Sequence, residues 1–125
     1  MSLVTIMRLT MERFRELIAE ALDELPPEFR RWMENVEVVA EESPPPELQG
    51  KARGLILGLY QGVPRSRRSV MALPAMPDLI SIYKRNIEKV CSDEKQIREQ
   101  VRITVMHEIG HHFGLDEDAL RRSGY

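Results

Sequence analysis

The sequence predicts an α+β domain in which a small mixed sheet of three to four strands is packed by a helix near the N-terminus and a longer helix near the C-terminus. Three observations predict it. Apolar residues recur at helical spacing from Phe14 to Leu25 and again from Ile97 to Ile109. Between them lie a β-branched run at Val36–Val39 and an alternating run at Asp78–Tyr83. With 125 residues and no internal repeat, residues 1–125 read as one domain large enough to bury its own core.

Composition removes several function classes. A net charge of −2 gives no electrostatic basis for binding nucleic acid, and the cluster Arg65, Arg67 and Arg68 reads as a solvated loop. The single cysteine, Cys91, excludes an internal disulfide and a multi-cysteine zinc site, and reads as a small buried apolar residue. No apolar run approaches the roughly 20 residues that span a bilayer. Met1–Leu9 has neither the charged start nor the small-residue cleavage site of a signal peptide, so a cytoplasmic location is expected. Met7 is an alternative start to Met1.

Thr10 reads as the N-cap of the first helix, whose apolar stripe is Phe14, Leu17, Ile18, Ala21, Leu22 and Leu25. Pro26-Pro27 stops it, because a residue before proline is pushed out of helical space. Phe29 and Trp32 then continue the core in a short turn. Val36–Val39 is a strand, and Ser43-Pro44-Pro45-Pro46 a stiff, extended connector. Gly54–Tyr60 reads as a second strand whose glycines indicate a bulge or a close neighbour. After the turn at Gly62-Val63-Pro64, Ser69–Leu73 is a short extended piece. Asp78–Tyr83 follows as a strand with Leu79, Ser81 and Tyr83 on one face and Asp78, Ile80 and Ile82 on the other.

The last helix starts at Ser92 or Asp93, with Glu94 suited to the positive end of its dipole, and Gly114 ends it. It carries all three histidines of the chain. His107 and His111 stand four apart, so both imidazoles project from one helix face and can bind one metal ion. Glu108 lies about 100° around the axis from His107 and about 60° from His111, beside an ion without being its ligand. That is the position of a general base. H-E-x-x-H on a helix is the pattern of zinc hydrolases. Gly114 can reverse the chain and bring a later carboxylate to the ion, with Asp116, Glu117 and Asp118 as candidates. His112 points about 100° away from His111 and reads as a packed or supporting histidine.

Met106–Leu115, Pro77–Glu88 and the closing Leu120–Tyr125 resemble the minimal zincins, small bacterial zincin-like metallopeptidases. The family pattern H-E-x-x-H-x-x-G-x-x-D ends on an aspartate that serves as third zinc ligand. Glu117 stands at that position here, flanked by Asp116 and Asp118. The resemblance therefore implies Zn²⁺ held by His107, His111 and Glu117, with a flanking aspartate either replacing Glu117 or supporting a ligating imidazole. It implies hydrolysis of peptide bonds, with Glu108 moving the proton of a metal-activated water. It also makes Asp78, Leu79, Ile80, Ser81, Ile82 and Tyr83 the edge strand to which an extended peptide adds, and offers Tyr83 as a helper at the oxyanion. The plainer alternative for that strand is an edge covered by the proline-rich loop. Two alternatives to the peptidase remain open: a non-catalytic zincin-like binding module with weak or no metal, and a structural metal site, which requires four protein ligands.

Overall fold

The computed structural model describes residues 7–62 and 76–115. The elements in order are α1 (Met11–Asp23), a 3-10 helix (Pro27–Met33), β1 (Val36–Glu41), α2 (Pro46–Lys51), β2 (Gly58–Gln61), β3 (Asp78–Tyr83), α3 (Lys84–Val90) and α4 (Glu94–Phe113). Their order in the sheet is β1-β3-β2, with β1 parallel and β2 antiparallel to β3. The α+β class and the mixed sheet follow the sequence reading, at three strands among the described residues.

Both long helices start where the sequence places their caps. Thr10 Oγ1 accepts the Arg13 N–H at 3.0 Å. Asp93 accepts the Gln96 N–H at 2.8 Å while Gln96 reaches back to the Ser92 N–H at 2.6 Å, a reciprocal cap that satisfies two otherwise orphaned donors. Phe14, Leu17, Ile18 and Ala21 of α1 join Ile97, Val101, Val105 and Ile109 of α4 in one core with Ile80 and Ile82 of the sheet. Each large apolar side chain fully buried there contributes about 1.5–3 kcal/mol. Cys91 is buried, as its plain reading requires.

Arg13 fastens α1 to the start of α4 through two bonds to Glu94, Nη2 to Oε1 at 2.8 Å and Nε to Oε2 at 3.2 Å. This two-pronged contact holds the Glu94 carboxyl below its ordinary range. A carboxyl whose pKa is depressed on folding stabilises the fold above its unfolded pKa, and that stability is lost as pH falls through the folded one. Glu94→Gln is therefore expected to flatten the acid limb of a pH series of thermal unfolding and to leave the core intact. Parallel acid limbs in parent and variant would count against the contact.

Three local readings change. The chain from Pro46 is helical: prolines start helices readily at the first position, and Leu48 N and Gln49 N bond to Pro45 O. The second strand is shorter than the reading, because Gly54 O and Ile56 N are held by the side chain of Gln49 and not by a ladder. Asn86 Nδ2 closes the same knot on Ile56 O at 2.8 Å and Gln49 Oε1 at 2.9 Å. A third helix, α3, follows directly on β3 and has no counterpart in the sequence reading. Ser69–Leu73, the Arg65, Arg67 and Arg68 cluster and Leu120–Tyr125 lie outside the described residues. No helix among the described residues is long and apolar enough to cross a membrane.

Asp78–Tyr83 is not the edge strand expected of it but the central one, paired with β1 from Val36↔Asp78 to Glu41↔Tyr83 and with β2 from Gln61↔Leu79 to Gly58↔Ile82. Neither of its edges is open to a peptide, and it is strands that cover it, not the proline-rich loop. Five of its six residues are buried, the mark of a strand covered on both faces.

Candidate metal centre

The metal-binding candidates sit in the last turns of α4, which Gly114 ends in the left-handed conformation at φ 67°. A side chain there would meet nothing within 4 Å, so glycine is needed for the backbone and not for space. The amides of Gly114 and Leu115 both return to Gly110 O, turning the chain off the helix axis immediately before Asp116.

The rings of His107 and His111 have centroids 5.7 Å apart and are inclined at 57°. Two imidazoles on a tetrahedral zinc, with Zn–N of about 2.0–2.1 Å, have centroids roughly 5 Å apart, so the observed separation is close to that of a pair sharing one ion. His107 is half-buried and His111 exposed, which leaves the pair reachable from solvent. Among the described residues no third donor completes a cluster of three, since Asp116, Glu117 and Asp118 lie outside them.

Glu108 spends one of its two carboxylate oxygens on the sheet. Its Oε1 accepts the backbone N–H of Tyr60 at 2.9 Å. Tyr83 N bonds Leu57 O, so the hydrogen-bonded pairs of β2 and β3 are those two residues apart from it, Leu59 with Ser81 and Gln61 with Leu79. Tyr60 lies between them and turns its N–H outward. Glu108 therefore holds the outer side of β2, an edge strand among the described residues, and its Oε2 has no hydrogen-bond partner there.

This contact is one step of a longer register between α4 and β2. Thr104, Glu108 and His112 are spaced four apart on the helix, and Gly58, Tyr60 and Gly62 two apart on the strand. Four helical residues rise about 6 Å and two strand residues about 6.6 Å, so the stripes keep pace. A Cβ on Gly58 would lie 2.7 Å from Thr104 Cγ2, and one on Gly62 would lie 3.6 Å from His112 Cε1. The close approach expected of the glycines falls at Gly58, whereas Gly54 has open space.

His112, on this stripe and off the face of His107 and His111, stacks on the Tyr60 ring at 3.8 Å and 13°. It is packed, as read, although exposed. The Tyr60 hydroxyl donates to Asp78 Oδ2 at 2.6 Å. Trp32 finds an aromatic neighbour that the sequence concealed, Phe113 at 4.8 Å, and the two join Tyr60 and His112 around a cavity of about 420 Å³. Nothing near in sequence announces this meeting.

Tyr83 does not share the helix-facing side. Asp78, Ile80 and Ile82 lie on the face with Gly58 and Tyr60, so strand alternation turns Tyr83 to the other. Burial, then the charge of Glu41 and more weakly that of Glu108, pushes the pKa of its hydroxyl up against an opposing contact with Ser81. The oxyanion role gains no support from this placement.

Comparison with known proteins agrees with this architecture. A conserved hypothetical protein from Thermus thermophilus is similar in structure, with a TM-score of 0.54 and 26% identity over 84% of this chain and 94% of that one. No curated protein matches the chain. The family model for zincin-like metallopeptidases matches residues 33–125, from the end of the 3-10 helix through the whole sheet and α4. The chain belongs to the zincin-like metallopeptidase family.

Proposed function

We infer that the protein is a zinc metallopeptidase acting in the cytoplasm on extended peptide or protein segments. The observation that carries the reading is the His107–His111 pair on one face of α4 with Glu108 beside it, one carboxylate oxygen on the Tyr60 N–H of β2. The donor set fits zinc: two imidazoles at near-tetrahedral separation, followed by a glycine turn and three carboxylates. His107 and His111 would hold the ion with one of Asp116, Glu117 and Asp118, Glu117 first because it stands three residues past Gly114. Bound zinc would supply Lewis acidity and acidify a water. Glu108 would take that water's proton through Oε2 and return it to the leaving amine. An extended substrate would not add to β3, which is paired on both sides.

The Tyr60–Glu108 bond favours a second reading, a zincin scaffold in which Glu108 is structural and the chain binds without cutting. Metal analysis of untagged protein tests the first step. About one zinc per chain is expected, lost in His111→Ala. Among alanine variants at 116, 117 and 118, Glu117→Ala should weaken zinc most, since loss of a supporting group costs only about 10–100-fold. Undiminished zinc in His111→Ala would move the site elsewhere, and a larger loss in Asp116→Ala or Asp118→Ala would shift the register.

A further inference from the structure

A second cavity, of about 560 Å³, lies away from the histidines, between the approach to α1, the chain just after β1, and α3 with Cys91 and Ser92. It adjoins the Tyr83 end of β3 and the aromatic cavity adjoins the Asp78 end, and the five residue steps between them span roughly 17 Å. Its size is that of a small-molecule site.

The charges around it are unevenly balanced. Lys84 and Glu88 form a buried pair, Nζ to Oε2 at 3.1 Å, with side chains 7% and 5% exposed. The same Glu88 oxygen accepts the Leu9 N–H at 2.6 Å. An ammonium has three donors, and burying it is costly unless they are used. Glu88 is the only ion-pair partner of Lys84 among the described residues, and Glu88 is already shared with the backbone. Arg85 is matched by Glu42 at 3.2 Å. Arg8 and Lys89 also line the cavity and have no carboxylate partner among the described residues. The cavity thus carries an excess of two positive charges in a chain whose net charge is −2.

The rest of the lining is apolar. Leu9, Val90 and Cys91 contribute to the wall, and Val90 is 50% exposed despite its size. Burial, then the charge of Asp93, pushes the Cys91 thiol up to about 11, so it stays protonated and serves as wall, not nucleophile.

We propose that this cavity binds a small organic anion, its carboxylate or phosphate head against Lys84, Arg8 and Lys89 and its carbon body along Leu9 and Val90. The head completes the unused donors of Lys84 without breaking the Glu88–Leu9 bond, and charge-assisted bonds to it are the strong kind. The site is independent of the peptidase reading, because it shares no residue with α4 and its readout is binding.

The experiment is calorimetric titration of the full 125-residue chain at constant ionic strength. Hexanoate and hexyl phosphate are the probes, hexanol is the neutral control, and an Arg8→Gln/Lys89→Gln variant is run in parallel. Both substitutions are on exposed side chains, so the fold should persist, and a circular dichroism melt checks it. Saturable binding of at least one anionic probe, weakened about tenfold or more in the variant, is expected. The head group that binds more tightly identifies the ligand chemistry. Absence of saturable binding up to roughly 10 mM, equal binding of hexanol, or undiminished binding by the folded variant would each overturn the proposal.

Discussion

Glu108→Gln is expected to keep its zinc and to lose peptide hydrolysis by about 10²–10⁴-fold, the usual cost of removing a general base. The substitution is nearly isosteric. Glutamine keeps an oxygen that can accept the Tyr60 N–H, now made at 2.9 Å by Glu108 Oε1, so the α4–β2 register should survive. What it removes is the capacity to take a proton. Single-turnover hydrolysis of a mixed peptide library, with metal content measured on the same samples, separates the possibilities. Equal turnover by parent and variant would take Glu108 out of the mechanism. Turnover by neither, with zinc present in both, would select the binding scaffold in which Glu108 only holds β2. Glu108→Ala adds the structural half of the test, because it leaves the Tyr60 N–H without its acceptor and should loosen β2 even where no chemistry is measured.

Gly58→Ala is expected to destabilise the fold by about 1–3 kcal/mol, the range for overpacking a filled core. The sign decides the matter, since glycine to alanine in a strand would by propensity alone gain roughly 0.5–1 kcal/mol. Propensity loses here because the new Cβ would stand 2.7 Å from Thr104 Cγ2, 3.0 Å from Ser81 O and 3.2 Å from Ile82 Cδ1. The Ser81 oxygen is backbone and cannot swing away, so β2 must shift, carrying Tyr60 off Glu108. Thr104→Ser removes the Cγ2 and keeps the hydroxyl that accepts from Gln100, so it should recover part of the loss. Denaturant unfolding of the two single variants and the double variant measures this coupling. An alanine variant as stable as the parent, or a double variant with no recovery, would show that α4 does not rest on Gly58.

What could be read in advance was local. Thr10 and Asp93 cap their helices as their residue types require, and Gly114 takes the left-handed turn that a glycine after a histidine-bearing helix suggests. The alternation of Asp78–Tyr83 gave the right faces and the wrong place in the sheet. Leu79, Ile80, Ile82 and Tyr83 make that segment apolar on both faces, and this near-continuity is the signal of a central strand. The helix α3 gave little warning, being seven residues long and held by tertiary partners, Glu42 for Arg85 and Gln49 for Asn86.

The caps, the apolar stripes and the spacing of His107, Glu108 and His111 are legible in the residues alone, because each depends on positions within about one turn of each other and on the fixed geometry of a helix. Long-range packing sets which strand is central, that β2 lies at the edge of the sheet among the described residues, and that Glu108 rests on Tyr60 while His112 stacks upon it. Those contacts join residues about 50 positions apart, and they exist because a four-residue rise on α4 nearly equals a two-residue rise on β2 where Gly58 lets the two elements touch.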